Sequence, residues 1–308
     1  MKAFVNLGKA LLTLGILVYF LYLFANNWAS LSFQGMVFKS SWVSSILFFS
    51  TSTLLSGLLW RNLLEAISET HTFPLSAALH LHSVAWLYRY VPGKIAHVAY
   101  RVSAPQKFGF SGKEAFAAFL YETVFATLAS LTLAVPILIV FGLTDVNVLW
   151  SIAGFASILA VIFFLLWLSN QPFISRSNLR LKKFVGPEEG SLVLPWPLAL
   201  RGVSLHFFPR LFMASGCSVL VLSSAQSDWE DVYLAGAVFL FATVVGLMVP
   251  FAPSGLGVRE GVIIAMLTPV LGFAEAVELS ALTRVLTVSS DLMVFLTTFS
   301  LRLIVKRR

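Results

Sequence analysis

The chain has 308 residues, of which 58% are hydrophobic and 11% charged, with a formal net charge of +7. A soluble domain carries roughly 25% charged residues, so this composition excludes a water-soluble fold and assigns the chain to a membrane. The positive balance fits basic residues gathered on one side of a bilayer and attraction to anionic lipid headgroups. It does not indicate nucleic acid, and the sequence holds no phosphate-binding motif of the soluble nucleotide enzymes.

Apolar windows long enough to cross ~30 Å of hydrocarbon lie near residues 5–25, 42–60, 114–141, 148–168, 202–223, 232–250, 259–274 and 280–303. They predict an all-α, polytopic fold of about eight transmembrane helices, forming a single integral membrane domain over residues 1–308. The first run follows Lys2 and Lys9 and is long enough to stay as an anchor instead of being cleaved. The seventh is short and contains Pro269 and Gly272, so it reads equally as a re-entrant segment, as does the stretch from Leu75 to Val91. The basic connection 169–199 is too short to bury a core of its own. Within it, Ile174 to Phe184 suits a strip on an anionic leaflet or an ordinary loop. Cys217 sits inside an apolar window, where it packs and has no disulfide partner in this chain. Trp28, Trp42, Trp150 and Trp229 fall near window ends and suit an aromatic belt.

Basic residues divide unevenly between the two sets of connections. Lys2, Lys9, the stretch Arg61 to Lys113, the stretch Arg176 to Arg201, and Arg302, Lys306, Arg307 and Arg308 share one side. Opposite them stand Lys39, Asp145, Asp228, Glu230, Asp231, Glu275 and Glu278. Short basic loops stay in the cytoplasm, so both termini are expected there and the protein in the cytoplasmic membrane.

Two segments break the helical pattern. The first is Pro92-Gly93-Lys94-Ile95-Ala96-His97-Val98-Ala99-Tyr100-Arg101, and the second runs from Pro250 through Pro253-Ser254-Gly255-Leu256-Gly257-Val258-Arg259-Glu260 to Gly261. Hydrocarbon cannot satisfy the backbone groups that Pro and Gly leave unpaired, so such breaks belong where protein or a water-filled cavity does. Each half has apolar windows, then a break ending in arginine, then further windows, which reads as a two-fold internal repeat of residues 1–168 and 200–308. By charge count both breaks face the cytoplasmic side, giving parallel repeats. Paired interruptions point to a transporter binding site.

Charged residues inside apolar windows mark the candidates. Arg210, Arg259, Arg284, Glu122 and Asp291 would each cost about 2.5–3.5 kcal/mol unpaired in the bilayer, so pairing or hydration is required. Arg284, Thr287 and Asp291 share a helix face and reach a common cavity, or Asp291 bonds a neighbouring helix. At the second break, Gly255 and Gly257 would let a phosphate approach a helix N-terminus while Arg259 adds charge and Glu260 is a ligand or a plain cap. His206 and Arg210 flank the kinking Pro209 and rank second. His80 and His82 invite a metal site with His97, but two residues apart on a helix they face different ways, and no metal or other cofactor is expected. Arg61, Glu65 and Glu69 read as a juxtamembrane ion-pair stripe.

The second break, Pro253 to Gly261 followed by an apolar helix, resembles the signature of the lysylphosphatidylglycerol synthetase/flippase transmembrane family. The first break resembles that family's Pro-Gly-basic motif ending in arginine, here Pro92, Gly93 and Arg101. Tyr121-Glu122 resembles its glutamate in the following helix and Arg284 the arginine of its last helix. Where relatives commonly read Gly-Glu in the first break, this chain has Ala96-His97, which puts that glutamate's role in doubt or passes it to His97. The chain ends at Arg308, without the aminoacyl-transferase domain that follows in bifunctional members. The resemblance implies a flippase that moves a polar-headed lipid between leaflets, whether phospholipid, aminoacyl-phospholipid, glycolipid or polyprenyl-linked. Arg101, Glu122, Arg259, Glu260, Arg284 and Asp291 then converge on a wet pocket sized for a headgroup, with Glu122, Asp291 or His97 as proton carriers. A membrane-embedded enzyme or accessory acting on lipid or lipid-linked sugar is the alternative. A separately encoded lipid-modifying enzyme is the expected protein partner.

Overall fold

The computed structural model describes residues 40–68, 71–90, 95–142, 196–223, 227–249 and 252–307. The windows at 5–25 and 148–168, most of the basic connection, Glu69, Pro92, Gly93, Trp28 and Trp150 lie outside the described residues. The helices are α1 (Ser40–Ser68), α2 (Leu75–Tyr88), α3 (Ile95–Ser103), α4 (Gly112–Ile137), α5 (Trp196–Leu222), α6 (Trp229–Met248), α7 (Val258–Leu271) and α8 (Phe273–Arg307). No strand occurs among the described residues, so the protein is an all-α, multi-pass membrane protein.

Five helices, α1, α4, α5, α6 and α8, are long and apolar enough to cross a bilayer. The helices α2 and α7 are not. Each has 14 residues, about 21 Å at 1.5 Å per residue, against ~30 Å of hydrocarbon. Length thus favours the re-entrant reading for both ambiguous segments.

In lipid, helices associate through small residues and hydroxyls that let backbones approach, and α1 is built this way. Its buried face carries Ser41, Ser45, Ser52 and Ser56. Ser45 Oγ donates to the Gly216 carbonyl at 2.6 Å and Ser52 Oγ to the Pro209 carbonyl at 2.7 Å, fixing α1 antiparallel to α5. Gly216 admits the Phe49 ring, which an added Cβ would meet at 2.6 Å, and Phe49 stacks on Phe239 of α6. Ser111 and Glu114 close a capping box at the start of α4, with bonds of 3.2 and 2.6 Å. Arg61 and Glu65 form the expected ion pair at 2.8 Å and both bond the Phe73 backbone, stapling α1 to the turn before α2. Cys217 is buried, as packing requires.

Helix α8 is the axis on which the two breaks are arranged. From its N-terminal end, Arg284 and Thr287 meet Ser254 and Arg259 of the second break, Asp291 meets Arg89 and Tyr90, and Thr298 bonds Ser83. Helix α2 therefore climbs α8 from its C-terminal end and stops halfway, while α7 starts halfway and runs to the N-terminal end. The breaks reach the middle from opposite ends of α8. This arrangement along α8 differs from the parallel repeats expected: the first break lies between the short α2 and α3, the second between the full-length α6 and the short α7.

Candidate functional site

Five of the expected residues, Gly255, Gly257, Arg259, Glu260 and Arg284, form the site's second half. At the second break Ser254 holds a left-handed conformation (φ 50) and Gly255 and Gly257 have φ of 70 and 79, turning the chain into α7. The Gly257 N–H donates to Glu260 Oε2 at 2.7 Å. Glu260 Oε1 lies 3.6 Å from Arg284 Nη1 and 4.0 Å from Arg259 Nε. Arg284 Nη1 also donates to the Ser254 carbonyl at 3.2 Å, and Arg259 Nη2 to Thr287 Oγ1 at 3.4 Å. The Arg259 guanidinium rests over the Phe239 ring, 4.9 Å from its centroid.

Gly255 packs its backbone against α6 instead of opening it to a phosphate, since an added Cβ would meet Gly246 Cα at 3.0 Å. The helix N-terminus at Gly257 is engaged by the chain's own anion, the Glu260 carboxylate, so Glu260 is a cap that also sits beside two arginines. For Pro253 only the backbone turn is described.

The first break supplies the other half. Arg101 and Glu122 are brought together as a buried ion pair, with Nη1–Oε2 at 2.7 Å and one hydrogen bond, from Nη2 to Oε1 at 3.2 Å. Arg101 lies over Trp60 of α1 at 4.7 Å and beside Trp86 of α2 at 5.8 Å. On the other side, Arg89 covers the Trp86 ring at 4.8 Å and pairs with Asp291 Oδ2 at 2.6 Å, to which Tyr90 also donates its hydroxyl proton. Asp291 thus bonds a neighbouring segment, one of the two readings left open. The Arg284 guanidinium stands 5.5 Å from the Tyr90 ring. A continuous line of contacts results, from Glu122 through Arg101, Trp86, Arg89, Tyr90, Arg284 and Glu260 to Arg259.

Arg89 and Tyr90 were absent from the sequence candidates. Their signal was position: they stand just before Pro92-Gly93, as Arg259 stands just after Pro253-Ser254-Gly255. His97 donates from Nδ1 to the Ala85 carbonyl at 2.6 Å and packs against Trp86 and Phe119. His80 meets Phe295 and Phe299 while His82 meets Trp60 and Trp86, the divergence that their spacing implies.

Between α1, α2, α5 and α8 lies a small polar chamber of about 30 Å³, lined by residues including Ser52, Ser56, Arg89, Arg210, Ser290 and Asp291. That is room for about two waters. This chamber, among the described residues, is too small for a headgroup where α2 and α7 close against α8. Asp291 lines the chamber and Arg284 does not. Arg210 is 8% exposed, donates to Ser56 Oγ at 3.1 Å, and has no carboxylate within ion-pair distance among the described residues.

The arginine and glutamate constellation across two helix breaks agrees with the match of residues 6–294 to a family model, the lysylphosphatidylglycerol synthase TM region. The chain belongs to that family. Membership in a family of lipid-related membrane domains gives the buried charges a context that packing alone does not. No curated protein matches the chain.

Proposed function

We propose that the protein carries a polar-headed lipid between the leaflets of the cytoplasmic membrane, leaving the lipid chemically unchanged, with both chain termini in the cytoplasm. The observation that carries this reading is the meeting of two helix breaks, one between the short α2 and α3 and one between the full-length α6 and the short α7, at a buried charged band halfway along α8. Paired breaks that bring ionic groups together at the middle of one helix are what a midplane transport site requires. The headgroup phosphate would bond Arg259 and Arg284 through charge-assisted hydrogen bonds while the acyl or prenyl tails stay in lipid. The family's association with a lipid-modifying synthase supports a membrane lipid as substrate and a separate modifying enzyme as partner.

The closed chamber fits a resting state. Admission of a headgroup would begin by parting one hairpin from α8: the Arg89–Asp291 pair for the first, the Arg284–Ser254 bond for the second. Opening one while the other stays shut would keep the bilayer sealed.

The test is reconstitution of the full chain in vesicles containing a headgroup-labelled fluorescent phospholipid, quenched from outside with dithionite. Quenching beyond the outer-leaflet share, with recovered lipid of unchanged mass, is expected for wild type. For Arg259→Ala and Arg284→Ala, loss of about tenfold or more in rate is expected, because each removes a charged hydrogen bond of roughly 1.5–3 kcal/mol. Wild-type rates in both variants contradict the site assignment, and a changed lipid mass contradicts transport in favour of an enzyme.

A further inference from the structure

The buried band holds more cations than anions, and the surplus bears on which headgroup it accepts. Five guanidiniums line it, those of Arg89, Arg101, Arg210, Arg259 and Arg284, with side chains between 1% and 20% exposed. Three carboxylates face them: Glu122 paired with Arg101, Asp291 with Arg89, and Glu260 shared between Arg259 and Arg284. Five minus three leaves two unmatched positive charges. Among the described residues no further acid faces them: Glu65, Glu114, Asp228, Glu230, Asp231, Glu275 and Glu278 lie at or beside helix ends.

Each of the three buried carboxylates is already engaged. Asp291 accepts from both Arg89 and Tyr90, Glu122 accepts one bond from Arg101 and lies 2.7 Å from its Nη1, and Glu260 caps α7 with one oxygen while the other, without a hydrogen bond, lies within ion-pair distance of Arg259 and Arg284. A cationic headgroup would find each carboxylate beside an arginine and, among the described residues, two surplus cations. Arg210 marks where the missing negative charge goes. It borders the chamber together with the Arg89–Asp291 pair, its Nε has no hydrogen-bond partner, and the Ser56 hydroxyl that accepts its bond can donate to a phosphate oxygen without adding charge. A charge left uncompensated in this setting is costly, and an anion at the chamber removes that cost.

We infer that the site takes a lipid whose headgroup is net negative, a phosphodiester or phosphomonoester bearing neutral hydroxylated groups, with Arg210 its principal counter-cation. It discriminates against an aminoacylated headgroup such as lysylphosphatidylglycerol, whose single phosphate is outnumbered by two amino groups. This inference rests on the lipid-carrier reading and narrows it.

The experiment has a binding arm and a transport arm. Native mass spectrometry of the full chain in detergent is titrated with phosphatidylglycerol and with lysylphosphatidylglycerol of the same acyl chains. The expected result is at least about tenfold tighter retention of phosphatidylglycerol, the ratio that one favourable charged contact supplies. That preference should vanish in Arg210→Met and survive in Arg210→Lys, which keeps the charge and serves as the check on folding. Equal or tighter retention of lysylphosphatidylglycerol by wild type overturns the inference, as does an unchanged preference in Arg210→Met. In vesicles, equally fast movement of both lipids also overturns it and leaves transport standing. Selective binding of phosphatidylglycerol with no movement of either lipid would sink transport and uphold the charge selectivity.

Discussion

Arg101 and Glu122 illustrate what a buried ion pair does in this protein. Their side chains are 1% and 7% exposed, and the pair is boxed in by Trp60 and Trp86. Removing one partner strands the other charge, so Arg101→Ala should destabilise the detergent-solubilised protein by about 3–5 kcal/mol. The double change Arg101→Met with Glu122→Gln should recover most of that loss, since paired replacement of a buried ion pair is often near neutral. Thermal unfolding measures both, and a single variant as stable as wild type would show that the pair is hydrated. Both members were candidates in the sequence, because a lone glutamate in an apolar window needs pairing or hydration, and the packing of α3 against α4 shows that each is the other's partner. Arg89 was not, because a basic residue just outside a short apolar stretch reads as a membrane-surface anchor until the stretch is seen to stop halfway along α8. Arg210 was visible as a charge beside Pro209, and only the packing of α1 against α5 shows that it lacks a carboxylate.

At the level of elements, the long windows translate directly into α1, α4, α5, α6 and α8, because twenty or so apolar residues leave a chain in lipid few choices but helix. The breaks were equally visible as Pro/Gly clusters. Their height and direction were not, because composition does not tell a turn at the membrane surface from one at its centre. The glycines of the second break separate two roles that the sequence cannot. Gly255→Ala places a Cβ 3.0 Å from Gly246 Cα at a φ of 70, and the left-handed conformation alone costs roughly 1–2 kcal/mol. A loss of at least that size is expected. Gly261→Ala, with no atom within 4 Å of the new methyl and a helical setting in α7, should be neutral or stabilising by up to about 1 kcal/mol. Melting temperatures of the two variants test the contrast. Equal shifts would mean that Gly255 is not held against α6.

For the whole molecule, α8 is a continuous 35-residue helix whose N-terminal half is covered by α7 and whose C-terminal half is covered by α2. Its charged middle faces the ends of both hairpins, and its outer face presents Val285, Leu292, Leu296 and Phe299, an apolar surface that suits lipid. Carriage of a headgroup past this middle demands that a hairpin leave α8 and return. Ser83 of α2 and Thr298 of α8 lie with their hydroxyl oxygens 2.9 Å apart, close enough to be replaced by a bridging pair of cysteines. The most direct test is lipid movement in vesicles by Ser83→Cys/Thr298→Cys, made with Cys217→Ala so that no other thiol competes. Transport should stop on oxidation and resume when a reductant opens the disulfide. Undiminished transport by the fully oxidised protein would contradict an account in which the first hairpin must part from α8.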